Sequence, residues 1–138
     1  MNNLTNFIFI GGVLHIGIIS AGVTSVAVLE WRKNLAPLCA LTRHIIWTHA
    51  MFVLMTIIAF GTISLSMPSA LASGAPLARA ACGFIATFWG IRLIVQFFVF
   101  DARPHLSNFA LKLGYHGLTV VFSYFTLIYG LAAALPRA

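Results

Sequence analysis

Few residues in this chain are able to do chemistry. Five are histidines, two are cysteines and only two are acids. Arg92 and Gln96 lie four apart within one long apolar run, so a helix would set them on one face, with Trp89 three residues before Arg92. His49 and His116 each fall about five residues into an apolar run, roughly 7–8 Å deep at the rise of a helix. Two imidazoles at equal depth on different helices are what a six-coordinate haem b requires, and Arg92 is then available to a propionate. Each ligating imidazole needs an acceptor for its other N–H, and Thr and Ser hydroxyls stand close by. Gly114 and Gly117 flank His116 and leave room for a flat ring. The same layer, with Gln96 added, suits the oxygens of a quinone. The plainer reading is that each His only hydrogen-bonds across helices or sits among lipid headgroups.

Arg92 is the sharpest single signal. An Arg near mid-span costs about 3 kcal/mol on insertion scales, and it cannot shed its proton to escape that cost. No acid lies within the apolar runs to pair with it. Its partner is expected among backbone carbonyls, Thr119 or Ser123, water, or an anionic group of a ligand or lipid. Snorkelling toward the interface is the structural alternative. His44 with Arg43, and His105 with Arg103, belong to a rim that could hold a lipid phosphate or a quinone headgroup. His44 is turned about 140° from His49 and cannot share its cofactor. His15 stands apart, at the other end of the bundle.

Those residues need elements to hold them, and the composition says of what kind. The chain has 138 residues, 61% hydrophobic and 7% charged. A soluble domain of this size carries roughly a quarter charged residues, so the polar material here cannot cover a water-facing surface. A bilayer core needs about 20 apolar residues in a helix. Four segments meet that, at about 7–29, 44–66, 80–100 and 111–135. The short connections favour antiparallel neighbours. The expected fold is therefore all-α: a single polytopic transmembrane domain over 1–138, a four-helix bundle running up-down-up-down.

Charge sets the expected orientation. Arg32, Lys33, Arg43, Arg103 and Lys112 fall on the first and third connections, against Arg79 and Arg137 on the opposite side. This places those connections in the cytoplasm and both termini outside it, in a bacterial inner membrane. Met1-Asn2-Asn3 lacks a basic region, so the first run reads as a retained span. The net charge of +6 is then an orientation signal, since the cations are scattered singly and not clustered as in a nucleic-acid surface. Cys39 and Cys82 fall on opposite sides and cannot form a disulfide.

Small residues predict the contact faces. Gly17, Ala21 and Ser25 form one stripe, Gly11, His15, Gly22 and Ser25 a second, and Cys82, Ala86 and Gly90 a third. His116, Thr119, Ser123, Thr126 and Gly130 make the most polar face, expected to point into the bundle. The phenylalanines read as lipid-facing bulk, and Trp31, Trp47 and Tyr129 as interface belts. A carboxylate di-iron site, a zinc-protease motif, a phosphate loop and a Cys-x-x-Cys pair are all absent. Three readings follow. One is a small redox-associated subunit with haem b or quinone held by His49, His116, Arg92 and Gln96. Another is a non-catalytic accessory subunit, joined to other membrane subunits or to itself. The third is a membrane protein that binds anionic lipid. A membrane protein that is not an enzyme on its own fits all three.

Overall fold

Within lipid, a backbone must satisfy its own polar groups, and the helix does so locally. The four apolar runs accordingly form helices α1 (Asn3–Val28), α3 (Ala40–Ser66), α5 (Pro76–Phe98) and α6 (Phe109–Ala134). Each is long and apolar enough to cross a membrane, which marks the chain as a membrane protein. The computed structural model describes residues 3–99 and 109–135.

Each long helix starts a few residues earlier than the apolar run alone predicts. Pro76 is one reason, because its fixed φ suits the first helical position and its missing N–H has no partner there to lose. Two short helices lie in the connections: α2 (Trp31–Leu35) and α4 (Pro68–Leu71). Between α1 and α2 the chain turns at Glu30, which sits in the left-handed region at φ 50°. Asn34 stabilises the turn by donating from its side-chain amide to the Leu29 carbonyl at 2.8 Å.

Helices α1 and α3 pack as one hairpin, α5 and α6 as a second, and α1 also lies along α6. Phe60 of α3 reaches α5 through ring contacts with Phe84 and Phe88. The result is the expected up-down-up-down bundle. Helix α4 covers one end, where Leu71 is buried and its carbonyl accepts from the Cys82 thiol at 3.6 Å.

Packing is uneven along the bundle. At the α4 end the buried positions include Ile8, His15 and Ile18 of α1, Phe60 and Ser64 of α3, Cys82, Ile85 and Trp89 of α5, and Phe122, Phe125 and Tyr129 of α6. At the α2 end, no residue from 19 to 59 is buried, and none from 109 to 121. We call these the closed and the open half.

Three expectations about side-chain placement need correction. Phe60, Phe122 and Phe125 are core residues and not lipid-facing bulk. Tyr129 is fully buried and belongs to no interface belt. The polar stripe of α6 does not fill the centre of the bundle. It runs along the edge of the α5–α6 seam, where Thr119 meets Gln96 and Thr126 approaches Gly90, while His116 and Ser123 are exposed. The cause is local. Thr119, Ser123 and Thr126 each donate their hydroxyl to the carbonyl four residues back. A hydroxyl satisfied in this way no longer needs the interior, and the larger apolar area of the aromatic rings takes the centre.

Candidate functional site

Two polar constellations lie inside the bundle, one in each half. In the closed half, His15 is 0% exposed. Its Nδ1 lies 2.7 Å from the Gly11 carbonyl oxygen, which can only accept, so the proton is on Nδ1. Its Nε2 is then a lone pair, and it accepts from the Trp89 indole N–H at 3.1 Å. The ring stacks on Phe125 at 4.1 Å and meets Phe60, Trp89 and Tyr129 edge-on. Beside it, the Ser64 and Tyr129 hydroxyls share a hydrogen bond of 2.6 Å. Glycines make this closeness possible. A Cβ on Gly11 would stand 2.9 Å from the Tyr129 hydroxyl, and one on Gly61 would stand 3.0 Å from Cβ of His15.

This neutral imidazole has both nitrogens occupied and apolar rings on its faces. It holds four helices together and leaves no position open for a ligand. The sequence alone sets His15 apart and gives no hint of the bond to Trp89, 74 residues away. A signal does exist: Gly11 lies one turn before His15 on the same face, a small residue beside a polar one.

In the open half, the second constellation lies on the α5–α6 hairpin. Gln96 is buried, and its side-chain amide donates to the Thr119 hydroxyl at 2.6 Å. Thr119 donates onward to the Tyr115 carbonyl at 3.1 Å. The Tyr115 hydroxyl reaches back to the Gln96 carbonyl at 3.5 Å. One turn toward the closed half, the Arg92 guanidinium lies 5.3 Å from the centroid of the Phe122 ring, a cation–π approach. Arg92 is half-buried. The arrangement thus presents a fixed cation and an ordered amide, which are donors for an anionic or carbonyl oxygen. Among the described residues, no cluster of three or more His, Cys, Asp or Glu forms a metal site.

The proposed residues are brought together only in part. Arg92, Gln96 and Thr119 share the α5–α6 face. His49 is exposed on α3, with Nδ1 at 2.8 Å from the Ile45 carbonyl oxygen, which leaves Nε2 directed away from its own backbone. His116 is exposed on α6, about 180° around the helix from buried Phe125, with its ring edge against Tyr115. No hydrogen bond or ring contact joins the two imidazoles. At the rim, His44 is exposed and Arg43 donates to the Ala36 carbonyl at 3.3 Å. Arg103 and His105 lie outside the described residues.

No family model, curated protein or solved structure matches this chain.

Proposed function

We propose that the protein is a small redox-associated membrane subunit that holds a quinone in the open half of its bundle. One observation carries this reading: a half-buried guanidinium and a buried, oriented amide sit one turn apart on the α5–α6 hairpin, in the half of the bundle where α1 and α3 bury no residue. An arginine in a span is costly, and such residues mark ligand or ion sites by default. Arg92 would meet one carbonyl oxygen of the ring. Gln96 and the Tyr115 hydroxyl would orient the same end, and the isoprenoid tail would lie along the exposed helix faces of the open half. Haem b stays a proposal of the same site, with His49 as one ligand. The Nδ1 bond of His49 to Ile45 favours that role, because it fixes the tautomer with Nε2 open. With His116 turned outward, the second imidazole would come from a partner chain.

The test is extraction of the purified protein followed by mass analysis of bound quinone. Wild type is expected to retain it, with roughly tenfold less in Arg92→Leu, as expected for losing a charge-assisted contact, and a smaller loss in Gln96→Leu, where a neutral hydrogen bond goes. A folded wild-type protein with no quinone overturns the reading. A Soret band lost in His49→Ala identifies haem as the occupant.

An accessory role has one observation in its favour. Gly17, Gly22, Gly114 and Gly117 have nothing within 4 Å of where a Cβ would stand, and uncovered small residues are what an incoming helix of another subunit uses. Its mark is a partner subunit that co-purifies in stoichiometric amount. We place the protein in a bacterial inner membrane, with the α2 side in the cytoplasm, on the charge asymmetry of the connections.

A further inference from the structure

The connection between α1 and α3 does more than turn the chain around. Helix α2 has two faces. Trp31 and Leu35, one turn apart, are half-buried, and Trp31 packs on Trp47 of α3 with ring centroids 5.8 Å apart. Arg32 and Lys33 lie on the other side and are exposed. Among the described residues Glu30 is the one nearby carboxylate, and it pairs with Lys33 at 3.4 Å while both remain well exposed, a geometry worth little in solvent. Arg43 ties the far end of the connection to α3 through the Ala36 carbonyl. Lys112, at the start of α6, is exposed at the same end of the bundle.

Apolar side chains lie among these cations. Leu38 is 39% exposed and Leu41 is 70% exposed. A water-facing loop gains nothing from bare leucines beside lysine and arginine. A headgroup boundary accommodates both, since the leucines reach acyl carbon while the cations reach phosphate. The paired tryptophans fit that level as well, with apolar rings and polar N–H groups. At the opposite end, Arg79 is committed elsewhere, donating to the Ala133 carbonyl at 2.8 Å.

We propose that α2 and the start of α3 form an interfacial seat for anionic phospholipid, with Arg32 and Lys33 holding headgroup phosphates and Trp31, Trp47, Leu38 and Leu41 holding the depth. Charge complementarity selects the lipid, because each cation near an anionic surface enriches it by about fivefold. The seat is independent of what occupies the open half.

The tryptophans supply the test. The full-length protein is reconstituted in an equal mixture of phosphatidylcholine and phosphatidylglycerol, with bromine on the acyl chains of one lipid or the other. Trp89 is buried and is shielded from bromine, so quenching reports on Trp31 and Trp47. Brominated phosphatidylglycerol is expected to quench more than brominated phosphatidylcholine. The difference should vanish in Arg32→Gln with Lys33→Gln, and survive in Arg79→Gln. Equal quenching by the two lipids in wild type overturns the proposal. So does a difference that survives the double substitution, or one that Arg79→Gln removes equally. The substituted side chains are exposed, and unchanged helical circular dichroism confirms that the fold is retained.

Discussion

At the scale of single residues, the most constrained group is His15. Its imidazole is at once a donor at one ring nitrogen, an acceptor at the other and a stacking surface between them. His15→Phe keeps an aromatic ring but leaves the Trp89 N–H without its acceptor, so unfolding in detergent, followed by tryptophan emission, should show a loss of about 1–3 kcal/mol. His15→Ala should cost more, because a void is added to the lost bond. The Ser64–Tyr129 pair can be isolated in a double-mutant cycle with Ser64→Ala and Tyr129→Phe. A coupling of about 0.6–1.7 kcal/mol is expected, the range for hydrogen bonds between membrane helices. Outside the spans, Cys39 caps α3, and its thiol lies below the ordinary thiol pKa through the hydrogen bond from the Thr42 side chain, with the Arg43 charge adding to it. A lowered pKa means that thiolate is present at lower pH. Alkylation of Cys39 should therefore reach half its maximal rate below the pH of an ordinary thiol, and Thr42→Val should move that midpoint up. Buried Cys82 should react slowly throughout. The sequence makes Arg92 and Gln96 legible, because a strongly polar type in an apolar run is conspicuous. It leaves His15 obscure, because its partner Trp89 is distant in the chain and tryptophan is unremarkable in a membrane segment.

At the scale of elements, the four spans are readable from hydrophobicity alone, since backbone satisfaction in lipid leaves little choice. Which face of each span points inward is much less readable. On α6 a polar stripe competes with an aromatic one, and back-bonded hydroxyls let the aromatic face win. Glycine stripes mislead in the same way, because a small residue matters only where another helix comes close. Gly12 and Gly17 lie on one helix and differ in this respect. A Cβ on Gly12 would stand 2.7 Å from Leu65 Cγ and 3.0 Å from the Leu65 backbone nitrogen, whereas Gly17 has nothing within 4 Å. Gly12→Ala should destabilise by about 1–3 kcal/mol, the cost of overpacking. Gly17→Ala should be neutral or slightly stabilising, since alanine is the better helix former. Thermal unfolding of the two variants side by side distinguishes them.

At the scale of the whole molecule, two hairpins are joined at one end, and among the described residues no hydrogen bond or ring contact joins them at the other. Among the described residues the hydrogen bonds and ring contacts that join them, His15 with Trp89 and Phe125, Ser64 with Tyr129, Phe60 with Phe84 and Phe88, and the Tyr124 hydroxyl with the Phe7 carbonyl, belong to the closed half. Spin labels at Ile10 and Leu131 should give a narrow distance distribution, and labels at Ala27 and Leu113 a broad one. Equal widths would show that the open half is held as firmly as the closed one. This property is invisible in composition, since apolar residues are spread evenly along all four spans and only their pairing is uneven. Mechanically, the closed half acts as a fulcrum. From His15 to Val28 the helix extends about 20 Å beyond it. A tilt of about 5° at the fulcrum, no more than the repacking of one ring, displaces the far tip by nearly 2 Å by that lever length. Small adjustments around His15 would thus be geared up into the separation of the hairpins at the α2 end, so that a residue at the fulcrum sets the width of the half it does not touch.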